Sequence, residues 1–356
     1  VPRRLLAPLA VVPLLLGGCS LGDDATGDQD DRPVVAVGDV IEGRAVLPEV
    51  TRGIEVRLPS GPAYFEVDDD LRAVPDDEVP GEFEDVPAAD DARVLRLAWG
   101  REFLGYGSDV MRLMTGSDVG DEGLDVTLAL VADGRRTEVP DVGQLNGVGD
   151  PDRVYVGVPR DADDLALEVT YDGVTQTVDL ATRAVDPGRA AGLYDVPLAA
   201  DRSLGDGGGS CPVSERTRGL EPLFACGVLD SWEVPYVDGL GWAGTGQVWF
   251  VADASSDLLA LRWIGDDDLT DYRTRLRTWE VLADGVRPVS TLPRRLGNQQ
   301  DDKRVVFAVE PRERHRVSFR ATYVGRPTGT LLPGAPARPT VTLERSVRVP
   351  EPGADD

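Results

Sequence analysis

Leu165-Ala166-Leu167-Glu168-Val169-Thr170-Tyr171-Asp172-Gly173-Val174-Thr175-Gln176-Thr177-Val178-Asp179-Leu180 is the stretch on which the fold turns. Apolar side chains alternate with polar ones on both sides of Asp172-Gly173, so each arm reads as a strand with one buried face. Asp-Gly is the dipeptide that best accepts the two positive φ angles of a type I′ turn, and the arms therefore form a β-hairpin. Runs of the same kind recur along the chain. Ile54-Glu55-Val56-Arg57-Leu58, Val94 to Trp99, Val126 to Val131 and Val154 to Val158 lie upstream. With 27 prolines and 40 glycines punctuating the runs, the pattern predicts an all-β protein of short strands. A short helix is expected only near Asp268 to Leu276.

The second half repeats the first. Leu130-Val131-Ala132-Asp133-Gly134 matches Val281-Leu282-Ala283-Asp284-Gly285 at a shift of 151 residues, and Val154 to Val158 falls on Val305 to Val309 at the same shift. One residue later in register, Leu165, Leu167, Val169 and Tyr171 fall on Val317, Phe319, Ala321 and Tyr323, and Gly173 on Gly325. Val94 to Trp99 corresponds more loosely to Val248 to Val251. A shared period of two is common to any pair of strands, but the Ala-Asp-Gly turn and the nearly constant shift indicate a tandem duplication. Two β-sandwich domains are expected, at 34–186 and 211–349, joined by an irregular linker at 187–210 that holds Pro187-Gly188 and Gly207-Gly208-Gly209. A disordered tail is expected at 350–356.

At the other end of the chain, Arg3 and Arg4 precede an apolar run from Leu5 to Leu16, too short for a transmembrane helix of about 20 residues but suited to a signal peptide. Leu16-Gly17-Gly18-Cys19 follows and resembles the lipobox of bacterial lipoproteins. The resemblance implies a signal peptide at 1–18, a diacylglyceryl thioether on Cys19 and cleavage between Gly18 and Cys19. Two acyl chains hold a protein stably at a bilayer, where one does so only marginally. The acidic segment 19–33 reads as a flexible tether reaching about 20 Å. Together with composition and strand spacing, the lipobox makes the chain resemble secreted actinobacterial lipoproteins with tandem immunoglobulin-like domains. With Cys19 lipidated, Cys211 and Cys226 remain as a pair. In an oxidising compartment they are expected to form a disulfide, closing a loop at 212–225. They lie too close together to be an inter-sheet Cys…Trp…Cys pair.

Charge and residue counts narrow the chemistry. The net charge is −26, and loss of Arg3 and Arg4 with the signal takes it to −28. So acidic a surface repels nucleic-acid phosphates and anionic lipid headgroups. Nucleophilic triads need a histidine base, and His315 in Arg312-Glu313-Arg314-His315-Arg316 is the only histidine; that segment reads as an exposed turn with a solvated ring. Histidine–cysteine zinc sites are excluded by count. Asp68-Asp69-Asp70, Asp266-Asp267-Asp268 and Asp301-Asp302 lack calcium-loop spacing and read as solvated charge. Gly207-Gly208-Gly209-Ser210 has neither the lysine nor the following helix of a phosphate loop. No catalytic residue, metal or cofactor is assigned.

Five of the six tryptophans lie in the second half. Trp249 and Trp263 suit a sandwich core, while Trp232, Tyr236 and Trp242, in a Gly-rich segment, are the candidate binding patch. The function expected is that of an extracytoplasmic lipoprotein, anchored to the cell membrane and acting as a binding or scaffolding module without catalysis. Its partners would be the lipid bilayer, through Cys19, and a protein or glycan of the cell envelope, not nucleic acid. The alternative is a cell-envelope accessory or carboxylate-dependent glycan-active enzyme.

Overall fold

The computed structural model describes residues 33–43, 53–79, 84–101, 106, 108–116, 126–139, 152–198, 209–211, 219–265, 268–292 and 303–350. The lipobox, Cys19, the tether up to residue 32, most of the Gly-rich run, Asp266-Asp267, Asp301-Asp302 and the tail at 351–356 lie outside them. Val34–Asp356 is one unit.

Its first half contains β1 (Val40–Glu42), β2 (Ile54–Leu58), β3 (Gly61–Leu71), β4 (Ala73–Val74), β5 (Val86–Pro87), β6 (Ala92–Arg101), α1 (Ser108–Thr115), β7 (Val126–Ala132), β8 (Arg135–Val139), β9 (Asp152–Pro159), β10 (Leu165–Tyr171), β11 (Val174–Asp179) and β12 (Val185–Asp186). Two five-stranded antiparallel sheets form, in the orders β1-β9-β6-β3-β2 and β12-β11-β10-β7-β8. Their inward residues make one core: Val56, Phe65, Leu95 and Val156 from one sheet, Leu128, Leu130, Leu167 and Val178 from the other. The Asp172-Gly173 hairpin is present, with Tyr171 opposite Val174, and φ is 44° at Asp172 and 70° at Gly173. Gln176, the one polar residue on the inner face of β11, is satisfied twice. It donates to Arg57 O at 2.7 Å and accepts from the Tyr194 hydroxyl at 2.9 Å, as a buried amide must.

The second half contains β13 (Gly209–Ser210), β14 (Leu220–Val234), β15 (Tyr236–Val237), β16 (Gly241–Trp242), β17 (Val248–Ile264), β18 (Leu269–Ala283), β19 (Ser290–Leu292), β20 (Lys303–Val309), β21 (Arg314–Pro327) and β22 (Thr340–Pro350). Strand β17 pairs with β14 along one edge, and with β20 and then β18 along the other. The β14-β17-β20 face packs on β18-β21-β22 around Phe250, Ala252, Phe307, Val317 and Phe319. The stretch from Asp268, expected to be helical, is strand: Thr270 and Tyr272 are buried while Asp271 and Arg273 are exposed, and β21 pairs along its length. A period of two, imposed by the neighbouring strand, overrides a weak local preference.

The duplication is visible in register. Ala132 pairs with Leu165 and Leu130 with Leu167 in the first half; Ala283 pairs with Val317 and Val281 with Phe319 in the second. The turns match atom for atom. Asp133 N donates to Asp164 O and Asp284 N to Arg316 O, both at 2.9 Å. The carboxylates of Asp133 and Asp284 accept from the amides of Asp164 and Arg316 at 3.1 and 2.9 Å.

The halves also share a core. On β17, Phe250 and Ala252 face the second core, while Val251 joins Trp232, Val234, Tyr236, Val237 and Val306 in the first-half core. This sheet is therefore buried on both faces, with α1 among the elements that cover it. Helix α1 was not expected; it buries Val110, Leu113 and Met114 at helical spacing. Part of the expected linker is also packed: Gly188–Tyr194 is a 3-10 helix that buries Ala190 and Leu193.

Candidate functional site

Strand β14 delivers the residues of interest. Its register is tied near the start by a disulfide between Cys211 and Cys226, with Cα atoms 5.2 Å apart. The bridged segment is only partly loop, since β14 begins at Leu220. The strand ends at Val234 because Pro235 has no amide to donate to the ladder.

The expected binding patch is not an exposed one. Trp232 is 2% and Tyr236 6% exposed, and Trp242 is half-buried. All three are covered because the first half packs over them. The Arg304 guanidinium lies 4.8 Å from the Trp232 ring centre and makes a buried bidentate pair with Asp253, at 2.7 and 2.9 Å. Tyr236 and Trp242 meet Tyr171 of the first-half hairpin in an edge-to-face cluster with centroids 5.2 to 6.3 Å apart. The Tyr171 hydroxyl donates to that of Tyr236 at 3.3 Å. Burial, reinforced by this bond, pushes the Tyr171 phenol far above its ordinary range. It is a neutral, structural group.

Beside Trp232 the two halves leave a cleft of about 420 Å³. Asp195 and Pro197 line it from the first half, and Trp232, Glu233, Pro235 and Pro311 from the second. Gly192 allows the close approach there: a Cβ at this position would sit 3.0 Å from Pro235 Cβ.

Glu233 leads from the cleft to His315, which is 3% exposed and not a solvated turn residue. Its Nε2 lies 2.5 Å from Glu233 Oε1 and its Nδ1 2.7 Å from Asp284 Oδ2. The ring lies 4.2 Å from Phe250, centre to centre. Burial opposes protonation of the imidazole, but the two carboxylates outweigh it and raise its pKa above 6.5. Burial likewise works against the Asp284 carboxylate. The Arg316 amide and His315 prevail, and its pKa falls below the usual carboxylate value. An imidazolium donating from both nitrogens thus links a turn carboxylate to one at the cleft wall. This chain of groups can hold a proton near Glu233, which suits ligand recognition and acid–base chemistry alike.

Of the acidic runs, Asp68 lies 3.6 Å from Arg96 and Asp69 3.9 Å from Arg93, so these carboxylates neutralise the neighbouring strand. Among the described residues no group of three or more histidine, cysteine or acidic side chains could hold a metal ion, and no helix is long and apolar enough to cross a membrane. Comparison of the chain with protein-family models, curated proteins and solved structures finds no match.

Proposed function

We propose that the chain is an extracytoplasmic lipoprotein, held to the cell membrane through Cys19, that acts as a binding or scaffolding module and seats its partner in the cleft between the two halves. The observation that carries this reading is the composition of the cleft. Prolines and the edge of Trp232 offer an apolar floor, and Asp195 and Glu233 offer acceptors. Concave, mostly apolar sites with a few placed polar groups are the usual form of a recognition pocket. A peptide with a basic side chain or a hydroxyl-rich glycan of the cell envelope has the matching chemistry.

The test is a titration of the full chain with short basic peptides and soluble peptidoglycan fragments, followed by tryptophan fluorescence. Saturable binding that is lost in Pro311→Trp, which fills the cleft mouth from an exposed position, is the expected result. No saturable binding across both sets, with turnover in a broad hydrolase screen, overturns it. Anchoring is tested separately, in about 1 M salt where surface charge contacts are screened: Cys19→Ser is washed off membranes by salt alone while the lipidated chain needs detergent, and a variant that still needs detergent sinks the lipid reading.

The geometry around His315 favours one alternative, a carboxylate-dependent envelope enzyme. There Glu233 would exchange a proton with a cleft-bound substrate while His315, itself bonded to Asp284, oriented its carboxylate. Turnover abolished by Glu233→Gln with binding retained would select this reading.

A further inference from the structure

The charge of the chain is segregated. On β18-β21-β22, one end of an eight-stranded sheet, the residues directly across from one another on the outer face include Arg273 and Arg326, Arg275 and Val324, Thr278 and Thr322, and Glu280 and Arg320. From β22, Glu344 stands opposite Arg320 and Arg348 opposite Arg316, with Arg314 beyond. Seven exposed arginines (273, 275, 314, 316, 320, 326, 348) thus share a face with three carboxylates (Asp271, Glu280, Glu344), in a chain of 63 acidic and 37 basic residues. The ion pairs of this region among the described residues are Arg262–Asp271, Arg287–Glu280 and Arg312–Glu310, and none takes an arginine of this face. Arg273 opposite Arg326 and Arg316 opposite Arg348 are like-charge cross-strand pairs, which weaken a sheet rather than stabilise it.

We propose that this arginine face docks on the anionic phospholipid headgroups of the membrane that anchors the chain. The guanidinium fork matches a phosphate bidentately, so the residue type fits as well as the sign. Breadth selects a membrane over a strand of polymer. A linear polyanion following β21 would miss Arg273, Arg275 and Arg348 on the flanking strands, whereas a plane of headgroups meets all three strands together. The acidic remainder of the molecule does not forbid the contact. At about 0.1 M salt, charges more than about 10 Å away are largely screened, and the facing sheet of a sandwich already lies about 10 Å behind. At about 0.01 M salt the screening length grows to about 30 Å, and the whole net charge of −26 then repels the bilayer. Binding therefore peaks at intermediate salt, unlike that of a uniformly basic protein. The proposal rests on the reading that the chain is membrane-anchored, since the anchor supplies the high local concentration of headgroups.

The test uses the full chain carrying Cys19→Ser, so that no acyl chain contributes, in co-sedimentation with vesicles. Vesicles of equal parts phosphatidylglycerol and phosphatidylcholine are expected to bind it best near about 0.1 M salt, and pure phosphatidylcholine vesicles not at all. Replacing Arg273, Arg275 and Arg326 by glutamine should weaken partition by about fivefold per arginine, and replacing them by lysine should retain most of it. These side chains are exposed, so a melting temperature no lower than that of the unchanged chain confirms that the fold is intact. Equal binding to both vesicle types, wild-type binding by the glutamine variant, or preferential binding of soluble polyphosphate at matched phosphate concentration would each overturn the proposal. Such a failure, with Cys19→Ser still released from native membranes, would leave the lipid anchor standing.

Discussion

His315 lies buried between Glu233 at 2.5 Å and Asp284 at 2.7 Å, and this placement makes stability depend on pH in a definite sense. Its folded pKa is raised above 6.5, so the stability it contributes is fully present below about pH 6.5 and is lost as pH rises through the folded value. Asp284 is lowered from 3.8, so its contribution is present above about pH 3.8 and is lost as pH falls through the folded value. Urea midpoints should therefore be highest in weakly acidic buffer. His315→Gln should cost about 1.5–3 kcal/mol there, because it leaves two half-buried carboxylates without their charged donor, and should abolish the decline on the alkaline side. An unchanged alkaline decline in that variant would refute the assignment, since the chain has no other histidine to cause it. Nothing local to Arg312–Arg316 announces the site. Both partners come from far along the chain, 82 and 31 residues away, so an arginine-flanked histidine reads as solvated until the strands are paired. Trp232 stands out by residue type and does line the cleft; its burial under the first half has no signal in its own neighbours.

At the scale of elements the duplication provides internal controls. Asp133 and Asp284 adopt φ values of 47° and 49° in equivalent turns and cap equivalent amides. Asp133→Ala should cost about 1 kcal/mol, the worth of a turn hydrogen bond with some added backbone strain. Asp284→Ala should cost several-fold more, because it also removes a partner of His315; equal losses in chemical denaturation would contradict the different duties of the two turns. Strands β9 and β20 offer a second contrast. Gly157 stands where the other copy has Ala308, and a Cβ at 157 would strike the Ala36 carbonyl of the strap that hydrogen-bonds across it. Gly157→Ala is therefore expected to destabilise by about 1–3 kcal/mol through overpacking, read as a lowered melting temperature. The Asp172-Gly173 hairpin was legible because alternation and an Asp-Gly turn are local signals. Helix α1 was not: eight residues with three buried apolar positions are too few to stand out against turn-rich surroundings. The expectation of a helix from Asp268 failed for the converse reason, as the β21 partners of this stretch, Pro327 for Tyr272 through Tyr323 for Leu276, lie far downstream in the sequence.

The whole molecule behaves as more than two sandwiches in series because β14, β17 and β20 present apolar residues on both faces. Phe250, Ala252 and Phe307 serve one core, and Trp232, Val251 and Val306 the other. In the sequence this shows as continuous apolar runs, Trp249-Phe250-Val251-Ala252 and Val305-Val306-Phe307-Ala308, where a strand with one wet face would alternate. Those runs could have revealed a covered sheet, but they do not say which segment covers it. The consequence is energetic. A second half produced alone, from residue 209 to 350, would expose Trp232, Val234, Tyr236, Val251 and Val306 to water. At about 25 cal/mol for each Å² of apolar surface, even a few uncovered aromatic and branched side chains cost several kcal/mol, comparable with the 5–15 kcal/mol that holds a typical domain folded. Calorimetry of the full chain should therefore show one cooperative transition with matching calorimetric and van't Hoff enthalpies. The isolated half should melt far lower or aggregate. Two resolved transitions, with one reproduced by the isolated half at the same temperature, would mean that the shared core contributes little. The cleft and His315 make the same point about function: Glu233 is fixed by groups within the second half, yet the wall opposite it is Asp195 and Pro197 of the first. Changes that loosen the shared core, such as Val251→Ala, should thus weaken ligand binding in the cleft as well as lower the melting temperature. Substitutions of similar cost in the far core, such as Val349→Ala, should lower the melting temperature alone.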